Sequence, residues 1–405
     1  MTRTLLEELK RFDASLPLAR AKTIPSHWYR DPEIGALELR RVFGETWQHA
    51  ARTHQLAKPG SFVTTSIAGE PVVILRDESG VLRGFFNVCR HRAACVVTEA
   101  EGSARKLRCR YHGWTYDLSG QLRGAPEFDG VADFRLEDNG LVPVSVDTWG
   151  PLVFVNLGSR TSSLGEVLAP LPERFGALNE FRFVERRSYE LGCNWKVFVD
   201  NYLDGGYHVN TVHPSLADVL QYSQYRTECA GLTSVQSSPM RAPDPSHSGP
   251  SASAVRSGET ALYGWAFPNF MVNLYAGVMD TNTVLPLSPG RCKVEIDFYI
   301  ARPDSPEASS FAAESVDVGH RIQLEDVGVC EDVQRGLSSR CYDTGRYSVR
   351  REVAVHHFHR LLAARLREAR RGPSVTSLTA KAQGAGARPL RGASKSSRAR
   401  DPRRE

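Results

Sequence analysis

Hydrophobic residues follow a helical period at the start of the chain and then change to the shorter period of strands. The segments LLEELKRF and PEIGALELRRVFGETW place apolar residues at helical spacing, which predicts helices within residues 1–44. From about residue 45 to residue 165, short β-branched runs such as SFVTTSIAG and EPVVILRD are separated by glycine, proline and acidic residues. This second pattern predicts a small antiparallel β domain.

Helix and strand patterns alternate between about residues 166 and 371, which predicts a second, mixed domain. Residues 262–300 predict a sheet, and residues 311–335 and 351–371 predict helices. The polar stretch from Gln236 to Gly258, rich in Ser and Pro, predicts a long loop inside this domain.

The positive charge of the chain is concentrated in one segment. Residues 372–405, rich in Gly, Ser, Ala and Arg, predict a disordered tail with eight basic and two acidic residues. The tail carries +6 against a net charge of +5, which leaves the rest of the chain at −1. We therefore do not expect the body to bind nucleic acid.

The sequence predicts a cytoplasmic protein without a membrane span. No stretch reaches the roughly 20 apolar residues that a span needs, and acidic residues interrupt the apolar patch of residues 1–17. In a reducing compartment the eight cysteines should remain thiols. Cysteines that occur beside histidines therefore suggest metal binding before they suggest disulfides.

Two short segments each offer one cysteine and one histidine. NVCRHRA contains Cys89-x-His91, and LRCRYHGWT contains Cys109-x-x-His112. A single structural zinc would take four such ligands, although zinc fingers usually pair cysteine with cysteine. A cluster with two different irons suits the mixed segments better, with thiolates on one iron and imidazoles on the other.

With its HGW context, this pattern resembles a Rieske [2Fe–2S] domain of the oxygenase or ferredoxin type. Respiratory Rieske proteins carry a cysteine in each loop that forms a disulfide, whereas this chain has Cys95 in the first loop and Tyr111 in the second. We expect Cys95 to be a small buried residue. Arg110 stands where proline is common in the family, which places an extra charge near the cluster.

A second pair of histidines follows in NWKVFVDNYLDGGYHVNTVHP. His208 and His213 are five residues apart, so on a regular helix they would point about 140° away from each other. The Gly205-Gly206 pair before His208 predicts a distortion or early end of the helix, which would let both histidines reach one metal.

This segment resembles the mononuclear iron motif of the Rieske non-heme iron oxygenases. The resemblance implies Fe(II) bound by His208, His213 and a carboxylate from a later helix, for which Asp326 is our candidate and Glu325 the alternative. Open positions on such an iron are available to O₂ and substrate.

The same resemblance gives two further candidate catalytic residues, Asp204 and Asn201. In trimeric relatives the acid bridges a cluster histidine of one subunit and an iron histidine of the next, here His112 and His208. Three residues separate Asp204 from His208 instead of the usual two, so Asp200 remains an alternative for this bridge. Asn201 matches a family asparagine near the iron.

Three further stretches, within 261–287, 333–348 and 352–362, resemble the choline monooxygenase branch, which oxidises quaternary ammonium compounds such as choline, glycine betaine and carnitine. Aromatic faces attract such cations. The candidate substrate residues are Tyr207, Trp265, Phe267, Phe270 and Tyr275. For any one of these five aromatic residues, packing in the core is an equally good explanation. For Trp195, which is not among them, core packing is the preferred explanation.

The histidines near the C-terminal end of the sequence resemble a metal tract. Because His356, His357 and His359 lie in a predicted helix near Arg360, we expect them to be packed or solvated rather than to bind a metal.

The resemblance implies an α+β fold, in which a small antiparallel β Rieske domain precedes a helix-grip-like catalytic domain with an antiparallel sheet and flanking helices. The expected boundaries are 1–44 for N-terminal helices that pack on the catalytic domain, 45–165 for the Rieske domain, 166–371 for the catalytic domain and 372–405 for the tail. The cofactors implied are one [2Fe–2S] cluster and one mononuclear Fe(II) per chain.

The function implied is C–H oxidation or N-demethylation of a small quaternary ammonium compound by a homotrimer. Electrons would come from a separate NAD(P)H-dependent reductase, directly or through a ferredoxin, since the chain has no dinucleotide fingerprint after a strand. An aromatic-ring-hydroxylating dioxygenase is the alternative. A non-enzymatic Rieske electron carrier would leave the second metal motif without a purpose.

Overall fold

The structure is a computed structural model that describes residues 3–159, 162–241, 255–301 and 306–368. The helices are α1 (Arg3–Lys10), α2 (Pro32–Arg41), α3 (Leu164–Leu168), α4 (Leu171–Phe175), α5 (Trp195–Leu203), α6 (Val209–Val212), α7 (Pro214–Ala217), α8 (Pro306–Leu337) and α9 (Val353–Arg367). The first ten strands are β1 (Gln48–Arg52), β2 (Ser61–Ile67), β3 (Glu70–Arg76), β4 (Leu82–Phe86), β5 (Glu101–Ser103), β6 (Leu107–Arg108), β7 (Thr115–Tyr116), β8 (Leu122–Gly124), β9 (Pro143–Trp149) and β10 (Leu152–Asn156). The others are β11 (Phe181–Leu191), β12 (Arg226–Ala230), β13 (Thr233–Pro239), β14 (Thr260–Ala266), β15 (Phe270–Tyr275), β16 (Val278–Ser288) and β17 (Arg291–Ala301).

The first ten strands form one large and one small antiparallel sheet. The large sheet has the strand order β1-β10-β9-β4-β3-β2-β5, and β6, β7 and β8 form a three-stranded sheet beside it. Strand β10 (LVFVN) is buried at all five positions, which explains its unbroken apolar run. The two Cys-and-His segments follow β4 and β6, so both belong to loops at strand ends.

The last seven strands form a second antiparallel sheet in the order β11-β17-β16-β15-β14-β13-β12. Helices α5, α8 and α9 pack beside this sheet, and one buried apolar cluster joins them to the N-terminal helices. Helix α2 is also tied to α5 by a buried carboxylate, since Glu38 accepts hydrogen bonds from the Trp195 indole (2.8 Å) and the Lys196 ammonium (2.6 Å). The α+β architecture expected from the sequence is confirmed.

The predicted loop from Gln236 to Gly258 needs a correction at one end, and the predicted tail cannot be compared with the described residues. The predicted loop from Gln236 to Gly258 is wrong at its start, because Gln236–Pro239 complete strand β13 and pair with β14. Residues 242–254 of that loop and the predicted tail, 372–405, lie outside the described residues. Within the described part of the chain, no helix combines the length and apolar character needed to cross a membrane.

Candidate active site

The two Cys-and-His loops have nearly the same backbone geometry. The Cys89 amide donates to the Ala94 carbonyl and the Cys109 amide to the Trp114 carbonyl, each at 2.8 Å. The amides of Ala93 and Gly113 donate back to the cysteine carbonyls of their own loops at 3.1 and 3.0 Å. Each loop is therefore a tight knuckle that holds its cysteine at a fixed position.

The knuckles bring their side chains to one place. The rings of His91 and His112 have centroids 4.5 Å apart, and His91 stacks on the buried Trp114 with its centroid at 5.0 Å. Both cysteines are buried, and the Tyr116 hydroxyl lies 3.4 Å from the Cys89 sulfur. Two buried thiols beside two imidazoles form the donor set that a Rieske cluster requires.

The surroundings of the knuckles change two expectations from the sequence. Cys95 is exposed, so the expectation of a buried residue is wrong; its neighbours Val96 and Val97 take the buried positions instead. Arg110 forms an exposed ion pair with Glu99, which compensates much of the extra charge near the loop. Tyr111 projects into solvent beside His112 and is 59% exposed.

The second pair of histidines lies where a helix is interrupted. Helix α5 ends at Leu203, and Gly205 and Gly206 take left-handed conformations with φ of +72° and +70°. A Cβ at Gly205 would overlap the Arg351 carbonyl, so glycine is required there for space as well as conformation. The predicted early stop of the helix is thus confirmed, and His208 and His213 flank the short helix α6.

Three side chains converge after this interruption. Ligand atoms of His208, His213 and Asp326 all lie within 4.8 Å of one another. Asp326 Oδ1 is 3.1 Å from His213 Nε2 and 3.8 Å from His208 Nε2. Two imidazoles and one carboxylate at this spacing fit a single non-haem iron with open positions.

Neighbouring polar groups orient each of these three side chains. Asp204 lies 2.6 Å from His208 Nδ1, and Glu325 lies 2.6 Å from His213 Nδ1. Burial lowers the pKa of His213, but hydrogen bonds and charges from Asp326 and Glu325 outweigh burial, so the pKa is raised overall. Carboxylates behind the outer nitrogens fix the rings so that their Nε2 atoms point toward the metal position.

The structure assigns different places to the alternatives that the sequence left open. Glu325 lies behind His213 while Asp326 faces both histidines, and the Asn201 amide donates to Asp326 Oδ1 at 2.7 Å. Asp200 points into the core, where it contacts His359 (2.9 Å) and the Tyr29 hydroxyl (2.6 Å).

The C-terminal histidines are packed side chains, as expected. His356 and His359 are buried in α9, and His357 lies 3.1 Å from the Gly231 carbonyl. Among the described residues they form no metal-binding group.

A cavity of about 110 Å³ adjoins the iron position. Its wall includes His208, His213 and Asp326 and is otherwise rich in aromatic rings and amides. The aromatic lining residues are Phe198, Tyr202, Tyr225, Tyr263, Tyr275 and Phe298.

Only Tyr275 of the five aromatic candidates lines this cavity among the residues described. Trp265 and Phe267 belong to the core beneath α9, and Phe270 packs in the core beside β10. Tyr207 is 55% exposed. Alternation along the strand explains the correction for Phe270, which faces the opposite side of the sheet from Tyr275. Trp265 shares the face of Tyr263 but lies further along β14, where it packs beneath α9 instead of lining the cavity. The tyrosines missed at 202, 225 and 263 carry no local signal that distinguishes them from core residues.

A cluster-binding β domain joined to a two-histidine, one-carboxylate site defines an iron–sulfur-dependent non-haem oxygenase. Residues 46–135 match the model of the Rieske [2Fe-2S] domain, and residues 178–368 match that of the ring hydroxylating alpha subunit (catalytic domain). The chain therefore belongs to the Rieske oxygenase alpha-subunit family, and it is an enzyme that takes a [2Fe–2S] cluster and a mononuclear iron.

Three known proteins are similar to the chain over most of its length. It is 40% identical to the chloroplastic choline monooxygenase of Arabidopsis thaliana over 375 residues, which covers 87% of this chain and 84% of the relative. A solved structure of a quaternary ammonium Rieske monooxygenase, reported for its insights into carnitine oxidation and inter-subunit electron transfer, is 27% identical to this chain. The two structures superpose with a TM-score of 0.75, and the match covers 86% of this chain and 98% of the solved chain. Naphthalene 1,2-dioxygenase from Rhodococcus sp. shares only the fold, with a TM-score of 0.73 at 20% identity and coverage of 91% and 100%.

Proposed function

We propose that this protein is the oxygenase component of a system that oxidises a quaternary ammonium compound. The observation that carries the proposal is the aromatic cavity beside His208, His213 and Asp326. A trimethylammonium group donates no ordinary hydrogen bonds, whereas tyrosine and phenylalanine faces attract it. The similarity to choline monooxygenase and to the carnitine-oxidising structure supports the same substrate class.

We also propose the ligands of both cofactors. Cys89, His91, Cys109 and His112 would hold the cluster, and the buried His91 Nδ1 has no hydrogen-bond partner among the described residues, as suits a nitrogen reserved for a metal. His208, His213 and Asp326 would hold the iron, which when bound supplies the activation of O₂.

The protein's own groups then perform the positioning. Asp204 and Glu325 hold the two imidazoles through their Nδ1 atoms, and Asn201 holds the carboxylate of Asp326. The aromatic wall excludes water and orients the ammonium group. Oxidation of a C–H bond next to the nitrogen would yield either an aldehyde hydrate or a demethylated amine with formaldehyde.

We infer a homotrimer in which the sites of neighbouring subunits cooperate. Exposed aromatic residues flank one proposed ligand of each cofactor, Tyr111 beside His112 and Tyr207 beside His208. Asp204 is placed behind His208, where its carboxylate would also accept a hydrogen bond from His112 of the partner subunit. A cytoplasmic location belongs to this proposal, because the cluster cysteines must remain reduced thiols to bind iron. A separate reductase also belongs to it, since the chain has no dinucleotide fingerprint after a strand.

An anaerobic single turnover tests the activity without the native reductase. The iron-loaded protein is reduced chemically, freed of reductant and mixed with O₂ and one candidate compound, and the products are identified by mass spectrometry. Product from an ammonium compound, and none from a simple aromatic acid, is the expected result. Reoxidised cluster without product from any ammonium compound would refute the substrate class.

Mixed assemblies test the cooperation between subunits. A Cys109→Ser chain, which should lack the cluster, is co-expressed with an Asp326→Ala chain, which should lack the iron. Each variant alone should be inactive, whereas the mixture should regain a measurable fraction of activity because electrons cross between subunits. An inactive mixture of correctly loaded assemblies would show that both sites must belong to one chain.

A further inference from the structure

The cavity wall carries a buried guanidinium for which the proposed oxygen chemistry has no use. Arg256 is 4% exposed, and its guanidinium lies 4.5 Å above the centre of the Tyr275 ring. Its Nη1 donates to Asp280 Oδ2 at 2.9 Å, while Asp280 Oδ1 accepts from the Asn273 amide at 2.6 Å. Both oxygens of Asp280 are therefore engaged, and the guanidinium is fixed in one orientation.

Donors remain on this part of the wall. Within the described ranges, Arg256 Nε has no hydrogen-bond partner, and the same holds for Nε2 of the buried Gln323. Asp280 engages Nη1, whereas the unpartnered Nε lies beside Nη2 on the other edge of the guanidinium, and such an edge matches the two oxygens of a carboxylate. Buried donors without acceptors are unfavourable, so a ligand that supplies acceptors is favoured here.

Helix α8 relates these donors to the iron position. A Cβ on Gly319 would lie 3.4 Å from Arg256 Nη2, so this glycine lies directly beside the guanidinium. Gln323 is one turn further along the same helix face, and Asp326 follows almost one turn later. The rise along the helix from Gly319 to Asp326 is about 10 Å. The same face of α8 therefore runs from the hydrogen-bond donors at one end of the cavity to the iron position at the other.

We propose that the cavity accepts a trimethylammonium compound that also carries a carboxylate, and that Arg256 and Gln323 donate hydrogen bonds to that carboxylate. This inference rests on the proposed function and narrows its substrate from quaternary ammonium compounds in general to betaines. A cation such as choline, which has only a hydroxyl at this end, leaves the guanidinium edge without an acceptor.

The arrangement also orients the substrate. Arg256 already covers the face of Tyr275 and repels a second cation, so the ammonium group is directed toward the end of the cavity that contains His208. An N-methyl group then lies nearest the iron position. The reaction expected is R–N⁺(CH₃)₃ + O₂ + 2e⁻ + 2H⁺ → R–NH⁺(CH₃)₂ + CH₂O + H₂O, in which one C–N bond breaks and the reduced protein supplies both electrons.

The wild-type protein provides the first test. Single turnovers are run with γ-butyrobetaine, glycine betaine, choline and the methyl ester of γ-butyrobetaine, and the dimethylamine product and formaldehyde are quantified over a range of concentrations. The ester retains the ammonium group and removes only the negative charge. We expect half-maximal product at a concentration roughly 10- to 100-fold lower for the acid than for its ester, as for the loss of a charge-assisted bidentate pair.

Variants at position 256 provide the second test. Arg256→Gln should erase the preference for the acid over the ester, while Arg256→Lys should restore part of the preference because it keeps the charge but loses the paired edge. Cluster absorption and iron content show whether each variant is folded. If neither variant folds, the acid-against-ester comparison in the wild type decides alone.

The outcomes separate this inference from the proposed function. Turnover of choline or the ester at least as efficient as that of the acids would overturn the carboxylate site and keep the quaternary ammonium activity. An Arg256→Gln protein that is folded and still prefers the acid would overturn the role of Arg256. Absence of product from every ammonium compound would overturn both.

Discussion

At the scale of single residues, two adjacent carboxylates on α8 perform different tasks. Asp326 faces both histidines, whereas Glu325 supports His213 from behind. Asp326→Ala should remove the mononuclear iron and abolish product formation while the cluster absorption persists, and Glu325→Gln should lower activity by about 10- to 100-fold. Iron analysis and single turnover measure both effects.

Asp332→Ala is the matched control for this pair. Its carboxylate lies on the same helix, is exposed and pairs only with Arg335 among the contacts described. Normal iron content and activity are expected for this variant. A full complement of iron in Asp326→Ala would contradict the proposed ligand set.

A second residue prediction concerns strain in the first cluster loop. Ala93 has φ of +60°, while the corresponding position of the second loop is Gly113 at +75°. Because an L-residue is strained in this conformation, Ala93→Gly should raise the free energy of unfolding by about 1 kcal/mol and retain the cluster. Thermal unfolding of the loaded protein checks this, with Ala94→Gly, which should not stabilise, as control.

At the scale of elements, the interruption between α5 and α6 is the feature that builds the iron site. Gly205 has a left-handed backbone and lies close to the Arg351 carbonyl. In Gly205→Ala the backbone would therefore be strained and the new Cβ would overlap that carbonyl. We expect it to displace His208 and to lower both iron content and activity by at least about tenfold.

Gly231 separates the two contributions. It also has a positive φ, +54°, but a Cβ there would meet nothing within 4 Å. Gly231→Ala should therefore cost only about 1 kcal/mol of stability and leave the iron bound. If Gly205→Ala behaves in the same way as Gly231→Ala, the close contact with Arg351 is not what holds the iron site.

The same segment shows how far a sequence predicts a site. His208, His213 and the glycine pair are local signals, because conformation and spacing are properties of neighbouring residues. The wall of the cavity is not local: Tyr202, Tyr225 and Arg256 meet there only after helix and sheet have packed. The aromatic run from Trp265 to Phe270 is a plausible wall by composition. Strand alternation, however, turns Phe270 to the opposite side of the sheet from the cavity. Trp265 lies on the cavity side but too far along β14, in the core beneath α9.

At the scale of the whole molecule, the two seven-stranded sheets meet at a buried histidine. His49 on β1 lies between Phe154 and Phe270, and its Nδ1 is 3.1 Å from the Thr283 hydroxyl of β16. Its Nε2 has no partner within the part of the chain that the structure describes. The contact between the sheets therefore favours a neutral imidazole.

The charged groups near His49 have opposing effects on its pKa, so burial decides the direction of the shift. Burial lowers the pKa of His49 to about 4, Asp297 raises it, and Arg186 and Arg52 lower it. The unfolded chain binds the proton more tightly, at an ordinary pKa of about 6.5. The stabilisation is therefore fully present above about pH 6.5 and is lost as the pH falls toward 4.

This difference predicts how the packing of the two sheets responds to acid. Proton uptake by His49 in the unfolded chain should remove about 3 kcal/mol of stability between pH 6.5 and 4, with a slope of at most about 1.4 kcal/mol per pH unit. His49→Gln retains a hydrogen-bonding group for Thr283 without a proton to bind, so its stability should fall less steeply over this range. Chemical denaturation at successive pH values gives both slopes, and His54→Gln, at an exposed position, should change the slope less. Equal slopes for the wild type and His49→Gln would mean that the imidazole is solvated before the sheets separate, and that other groups govern the acid sensitivity of their contact.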